Sequence, residues 1–211
     1  MRKDYKTVKG YGEREIIISK SRFICYVNRA ETEEEALSFI EKIKKMHPNA
    51  THNCSCYMIG EHNQIQKAND DGEPSGTAGI PMLEVLKKQN LQDTVVVVTR
   101  YFGGIKLGGG GLIRAYGKST TEGLDAAQVV ERKLHHVMNV AIDYVWLGKV
   151  ENEVRNSYYA LRDIQYADGV ELYVFVLKDE EQEFVNWITE LTNGQANVTC
   201  IEKQFVEFIA S

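Results

Sequence analysis

The sequence predicts an α+β protein of two domains, and three observations lead to this expectation. Its 211 residues exceed one average domain and fall short of three. Runs of β-branched and aromatic residues alternate with amphipathic helical segments. After Leu134 the order becomes β-α-β-β-α-β, the ferredoxin-like pattern of an antiparallel sheet with two helices on one face. We therefore expect one domain over residues 1–134 and a second over residues 135–211.

The chain opens with a predicted hairpin followed by a helix. Residues 15–19 and 22–28 are rich in Ile, Phe, Tyr and Val, as is typical of paired strands. Thr32 and Glu35 form a capping box, and apolar residues then recur at helical spacing until residues 46–48, which include Pro48. This pattern indicates an amphipathic helix packed on a sheet.

A second hairpin and a short helix are expected next. Residues 53–59 and 64–68 read as its strands, the second of them polar and half exposed. Pro81 is tolerated only in the first turn of a helix, so it places the start of the following helix near Gly79.

The run from Val95 to Val98 is typical of a central strand covered on both faces. After it, six glycines crowd a predicted loop that ends at Gly111, and a helix from about Leu112 to Val130 closes the domain. Gly117 and Gly123 inside that helix each cost about 1 kcal/mol relative to Ala. Close packing on the sheet is the expected compensation.

In the second half the elements alternate cleanly. Asp168 and Gly169 are a hairpin turn signal, and Asn193 and Gly194 indicate the end of a helix. The expected strands cover residues 137–146, 164–166, 170–177 and 196–209, and the expected helices cover residues 149–161 and 180–192.

Composition and charge exclude several protein classes. The 43% hydrophobic and 26% charged content is ordinary for a folded protein, and no apolar run approaches the roughly 20 residues that span a bilayer. Four cysteines occur without C-x-x-C spacing, which favours free thiols in the cytoplasm.

The two halves of the chain differ in charge. Through Leu134 there are 20 Lys and Arg against 17 Asp and Glu, whereas the remainder has 5 against 13. The halves therefore carry +3 and −8, which indicates different partners.

The glycine-rich loop is the sharpest local signal for a binding site. Glycines let backbone N–H groups approach a ligand, and a following helix N-terminus adds partial positive charge, so the loop resembles an anion cradle. We expect four cations to converge on this loop and to bind an anion together with three of its glycines. These residues are Arg100, Lys106, Arg114, Lys118, Gly108, Gly109 and Gly110. The alternative is a sharp strand-to-helix turn beside a solvated basic face. Neither a Walker motif nor a complete G-x-G-x-x-G fingerprint is present.

A second segment precedes the short helix and carries three acids. Ser75 and Thr77 are candidate helix caps or anion contacts, with the cap favoured. The acids Asp70, Asp71 and Glu73 read as a solvated loop, with Mg²⁺ or a basic partner as the alternative. His52, Cys54 and Cys56 share one strand face, but buried cysteine in a strand is more common than a metal site. No metal and no cofactor are therefore expected.

Three segments together resemble the signature of the IMPACT family, also called the YigZ or UPF0029 family. They are Asp-Asp-Gly-Glu-Pro-Ser-Gly-Thr-Ala-Gly at 70–79, Thr-Arg-Tyr-Phe-Gly-Gly at 99–104, and Leu-Gly at 107–108 leading into Leu-Ile-Arg-Ala-Tyr at 112–116. The resemblance implies an N-terminal fold like the second domain of ribosomal protein S-five. It also implies a C-terminal fold like the last domain of elongation factor G, as in the bacterial members.

The resemblance implies a non-enzymatic protein that associates with RNA or ribosomes and regulates translation. The signature residues, including the acidic loop, are then a binding surface, and no catalytic residue is implied. Two alternatives stay open. One is an enzyme that binds a phosphorylated small molecule or nucleotide in the glycine-rich loop. The other is an adaptor whose acidic C-terminal domain docks a basic protein.

Overall fold

The computed structural model describes residues 2–210, which form two compact units. The first unit comprises the chain up to Arg132 together with the last residues from Glu207, and the second comprises Lys133–Val206. The strands pair antiparallel and the helices pack on the sheets, so the predicted α+β class is confirmed. Within residues 2–210, no helix has the length and apolar character needed to cross a membrane.

The first unit is built around a five-stranded sheet. Its elements, in chain order, are β1 Tyr5–Val8, β2 Gly12–Ile18, β3 Ser21–Arg29, α1 Glu33–Met46, β4 His52–Ile59, β5 Ile65–Asn69, α2 Gly79–Lys88, β6 Thr94–Tyr101 and α3 Gly108–Ala127. The strand order in the sheet is β2-β3-β6-β4-β5. Helix α1 packs on one face of this sheet, and α2 and α3 pack on the other.

The middle strand β6 is covered on both faces, as its β-branched run predicts. Val96 and Val98 are fully buried with α2 and α3, while Val95 and Val97 are fully buried with α1. Both predicted hairpins are present, because β2 pairs with β3 and β4 pairs with β5. This layering places the end of β6 between the two helical layers.

The predicted boundaries of the first two helices are confirmed. The Thr32 side chain accepts a hydrogen bond from the Glu35 backbone N–H at 3.2 Å, and α1 ends at Met46. The next helix begins at Gly79, so Pro81 lies in its first turn, where its missing N–H costs no helical hydrogen bond.

The start of α3 differs from the prediction. The helix begins at Gly108 instead of near Leu112, so Gly108 to Gly111 form its first turn rather than a loop. Glycine has low helix propensity, which is why the sequence favours a loop there. A Cβ on Gly111 would lie 3.0 Å from the Leu107 Cβ, so this first turn packs closely against the residue that precedes the helix.

The second unit shows the predicted β-α-β-β-α-β order. Its elements are β7 Val129–Ile142, α4 Tyr144–Asn156, β8 Ala160–Tyr166, β9 Val170–Leu177, α5 Glu181–Leu191 and β10 Asn197–Ile209. The start of β7 up to Arg132, which pairs with β1, and the end of β10 from Glu207 belong to the first unit. The sheet order is β8-β9-β7-β10.

Helix α4 begins five residues earlier than predicted, at Tyr144 instead of residue 149. Trp146, Leu147, Val150 and Val154 recur at helical spacing and pack in the core of this unit, so one helical face is apolar from the start of the segment. The predicted end of α5 is confirmed. Asn193 and Gly194 take positive φ, and the Gly194 N–H donates to the Thr189 carbonyl at 2.8 Å.

Candidate functional site

A cavity of about 320 Å³ lies in the first unit, where β4 begins, β6 ends and α3 starts. The antiparallel register sets His52 of β4 opposite Arg100 of β6, which places both residues at the same end of these two strands. The other polar side chains that line the cavity are Thr51, Glu73 and Lys106. Segments distant in sequence therefore meet around one concave surface.

The first acid of the 70–79 segment stabilises the neighbouring helix α2. The Asp70 carboxylate accepts hydrogen bonds from the backbone N–H groups of Gly76, Ala78 and Gly79 at 2.8, 3.0 and 2.8 Å. Burial alone would raise the pKa of Asp70, but these three hydrogen bonds outweigh it and hold the pKa below its ordinary value. Asp70 thus neutralises the N-terminus of α2.

The second acid ties the segment to β4 and α1. The Asp71 carboxylate accepts from the Asn53 backbone N–H at 2.6 Å and pairs with Lys44 at 3.0 Å. Its backbone carbonyl lies 2.8 Å from Nδ1 of His52. Asp71 therefore positions both the loop and the imidazole ring.

The third acid is buried at the cavity. The Glu73 side chain is 3% exposed, and its Oε1 accepts from Arg100 Nη1 at 2.5 Å and from the Tyr116 hydroxyl at 2.8 Å. Its Oε2 lies 3.8 Å from Nε2 of His52. Burial, with Cys54 and Glu73 alongside, raises the pKa of Tyr116 far above its ordinary value. The hydroxyl therefore stays protonated and donates a hydrogen bond to Glu73.

These contacts correct the expectation that the acids form a solvated loop. Asp70, Asp71 and Glu73 have different protein partners, and the three carboxylates serve a helix terminus, a loop anchor and a buried ion pair respectively. The favoured role of the hydroxyl residues as helix caps is also wrong. Ser75 is exposed, and the Thr77 hydroxyl donates to the Pro74 carbonyl at 2.6 Å, so Asp70 supplies the cap instead.

The first turn of α3 has no such neutralising group. Leu107 precedes the helix without a side-chain cap, and no acid lies in the first turn. Gly108 and Gly109 line the cavity, and the nearest atom to a Cβ built on Gly109 would be the Thr77 methyl at 3.9 Å. The backbone N–H groups of this turn are orphan donors with the partial positive charge of a helix N-terminus.

The structure brings only two of the four predicted cations to the cavity. Arg100 is buried in its pair with Glu73, and Lys106 is exposed at the cavity wall. Arg114 and Lys118 are exposed on α3 and do not line the cavity. With about 3.6 residues per turn, they lie on a different side of α3 from Leu112, which does.

Three residues of this site are not among the individually predicted binding residues. The sequence suggests His52 only as a metal ligand beside the cysteines, and it places Phe102 and Tyr116 in the binding surface only as members of the signature segments. Phe102 lines the cavity with 46% of its surface exposed, and its ring lies 5.5 Å from the Arg100 guanidinium carbon. The signal that finds His52 is the strand register, which pairs it with Arg100.

The buried thiols are part of the core rather than of a reactive site. Cys25, Cys54 and Cys56 are free and buried, whereas Cys200 is free and exposed. Burial raises the pKa of Cys54 to about 12, so its thiol stays protonated near neutral pH.

Two domain families match the chain. The Impact N-terminal domain matches residues 19–124, and a domain of unknown function, DUF1949, matches residues 140–195. The first match covers the whole cavity, including the three signature segments around it.

Several known proteins are similar over most of the chain. The IMPACT family member YvyE of Bacillus subtilis (strain 168) is 61% identical over 203 residues, which cover 96% of this chain and 94% of that protein. The IMPACT family member YigZ of Escherichia coli (strain K12) is 31% identical, with 88% and 92% covered. A crystal structure of a hypothetical protein superposes with a TM-score of 0.60 at 28% identity, over 96% of this chain and 99% of that one.

The similarity to eukaryotic proteins is shorter. The Protein IMPACT homolog of Dictyostelium discoideum is 36% identical over 106 residues, which cover 47% of this chain and 29% of that protein.

Proposed function

The chain belongs to the IMPACT family, and from this premise we propose that it is a non-enzymatic RNA-binding protein that associates with ribosomes and regulates translation. The proposal rests on one observation above the others. The N-terminal turn of α3, built from Gly108 to Gly111, presents uncapped N–H groups beside Lys106 at a cavity.

A phosphate is the ligand that such a turn fits. Backbone N–H groups at a helix N-terminus bind anions, and glycines leave room for the ligand to approach them. The contrast with α2 is informative, because that helix begins beside α3 but has its N-terminus neutralised by Asp70. Only one of the two neighbouring helix termini is left with unneutralised donors.

An exposed aromatic ring beside this turn favours RNA over a simple anion. Phe102 lies in the same cavity wall as Lys106 and Leu107. Proteins that bind single-stranded RNA stack bases on aromatic side chains and hold phosphates with adjacent cations. Arg114 and Lys118 extend the positive charge along the exposed side of α3, where they reach flanking phosphates.

The partners of the acids favour binding over catalysis. Asp70 and Asp71 are each engaged by backbone N–H groups, and Glu73 is paired with Arg100. A catalytic acid or base needs a proton-transfer position beside the substrate, which neither Asp70 nor Asp71 has in these contacts.

Sedimentation with ribosomal fractions across a salt series tests the proposal. We expect the protein to co-sediment at low salt and to be released as salt rises, because counterions compete for the phosphates. The variant in which Lys106, Arg114 and Lys118 are all Ala should be released at lower salt. Lys88→Ala, at the far end of α2, removes an exposed lysine away from the site and is the control for lost charge. No co-sedimentation at any salt, or equal release of both variants, contradicts ribosome association through α3.

A further inference from the structure

The cavity has the size of a site for one small molecule or one residue of a longer ligand. Its volume of about 320 Å³ is at the lower end of the range for small-molecule pockets. Its lining combines two kinds of polar group. Lys106 and the first turn of α3 offer positive charge and donors, whereas His52 and Glu73 offer an imidazole and a carboxylate.

The apolar part of the wall fits a flat ring. Phe102, Leu107, Leu112 and Pro74 also line the cavity. Aromatic and apolar side chains of this kind hold a planar base by stacking, with polar groups placed to read its edge.

The Glu73 carboxylate gives the cavity an acceptor with an unused lone pair. Among residues 2–210, both hydrogen bonds of the Glu73 carboxylate go to Oε1, and Oε2 has only the 3.8 Å contact with His52. The Glu73 side chain lines the cavity, so Oε2 is an acceptor that no donor of the described residues occupies. A ligand that donates a hydrogen bond can use this oxygen.

His52 supplies a second acceptor next to the first. Its Nδ1 lies 2.8 Å from the Asp71 carbonyl oxygen, which can only accept. In the tautomer in which Nδ1–H donates to this carbonyl, Nε2 is an acceptor. Nε2 and Oε2 of Glu73 are 3.8 Å apart, so the cavity presents two adjacent acceptors.

We infer that the cavity binds one guanine nucleotide, either free guanosine monophosphate or a guanosine of an RNA chain. The inference rests on the proposed RNA-binding function and names the base that this site takes. Guanine has two adjacent donors on one edge, N1–H and the N2 amino group, which match the acceptor pair. Adenine and cytosine place an acceptor beside their one amino group, and uracil places acceptors on both sides of its N–H. The phosphate then lies at Lys106 and the α3 turn, and the base lies against Phe102.

Calorimetric titration of the unmodified protein with GMP and IMP tests the inference. IMP differs from GMP only by lacking the N2 amino group, so it leaves one of the two acceptors without a donor. We expect IMP to bind about 10- to 100-fold more weakly than GMP. The same comparison in a short single-stranded RNA, with one guanosine replaced by inosine, covers the second source of the ligand. Discrimination in the RNA pair only assigns the site to a residue of an RNA chain.

Two variants locate the binding. Lys106→Ala should weaken GMP and leave guanosine, which has no phosphate, unchanged, whereas Lys88→Ala should change neither. Phe102→Leu should weaken both ligands. These substitutions avoid the buried Glu73–Arg100 pair, whose loss endangers folding.

The outcomes separate the inference from the proposed function. RNA binding without preference for guanosine over inosine, together with equal affinity for GMP and IMP, overturns the guanine site and leaves RNA binding intact. Binding of GMP over IMP without any RNA or ribosome binding supports the site and contradicts the proposed function. Absence of binding by both GMP and the guanosine-containing RNA at millimolar concentration also overturns the inference.

Discussion

Glu73 shows how a single side chain connects the stability of the first unit to its cavity. It is buried with Arg100 and Tyr116 on one carboxylate oxygen and faces His52 with the other. Burying two charges is costly, and the pair is tolerable only because each member compensates the other. The site therefore depends on the Glu73–Arg100 ion pair, whose loss lowers the free energy of unfolding.

At the residue scale, we predict that Glu73→Gln lowers the free energy of unfolding by about 3 to 5 kcal/mol, because Arg100 is left with a buried charge that no carboxylate compensates. Urea denaturation measures this change. The control is Glu84→Gln, which breaks an exposed pair with Lys87 and should alter stability by at most about 0.5 kcal/mol. Equal effects of the two substitutions would contradict the buried-pair account.

The residue scale is also where the sequence was least informative. It predicted Arg100 and Lys106 as site residues, and both line the cavity. It could not predict the pairing of Arg100 with Glu73, because these positions are 27 residues apart and Glu73 lies in a loop of irregular structure. His52 was missed as a cavity residue for a similar reason, since only the strand register places it opposite Arg100.

At the scale of elements, the contrast between two helix termini is the main feature of the site. Asp70 satisfies the first turn of α2, while α3 begins without a capping side chain. A change at Asp70 should therefore affect the stability of α2, and this effect should depend on pH.

We predict that Asp70→Asn destabilises the protein by about 1 to 2 kcal/mol at pH 7, because the charged cap is lost. The folded pKa of Asp70 lies below its ordinary value of about 3.9, so its charge stabilises the fold above that pH. The stabilisation is lost as the pH falls through the lower folded pKa. Denaturation of both proteins between pH 7 and pH 2 should show the difference between them shrinking below about pH 4. A difference that stays constant to pH 2 would exclude a role for the charge.

Helix α3 offers a second prediction from two glycines in the same element. A Cβ on Gly123 would lie 2.3 Å from the Cys25 sulfur, so Gly123→Ala should destabilise the fold by about 1 to 3 kcal/mol through overpacking. A Cβ on Gly117 would meet only a Val85 methyl at 4.0 Å, so Gly117→Ala should stabilise by up to about 1 kcal/mol. Thermal unfolding of the two variants shows whether each substitution lowers or raises the stability. Destabilisation by both, to the same degree, would argue against close packing at Gly123.

Most elements could be predicted from local patterns, and the exceptions have physical causes. The β-branched run of β6 and the position of Pro81 in α2 are signals contained within a few residues. The early start of α3 has no such signal, because the low helix propensity of its four glycines favours a loop at Gly108 to Gly111. Helix α4 begins early because Trp146 and Leu147 complete its apolar face.

At the scale of the whole molecule, the distribution of charge favours the first half as the place of the proposed RNA binding. Residues through Leu134 carry a net charge of +3 and the remainder −8, although the entire chain is −5. Affinity for phosphates follows local positive charge rather than the total. The α3 turn with Lys106 is the place in the first unit where that charge meets uncapped backbone donors.

The salt dependence of RNA affinity tests this central claim most directly. Fluorescence anisotropy with a labelled single-stranded RNA gives the slope of log K against log salt for the unmodified protein, Lys106→Ala and the Lys88→Ala control. If Lys106 contacts a phosphate at the α3 turn, its substitution weakens binding and reduces the slope by about 0.7, while the control keeps the original slope. An unchanged slope and affinity for Lys106→Ala, or RNA binding that does not depend on salt, would contradict the account.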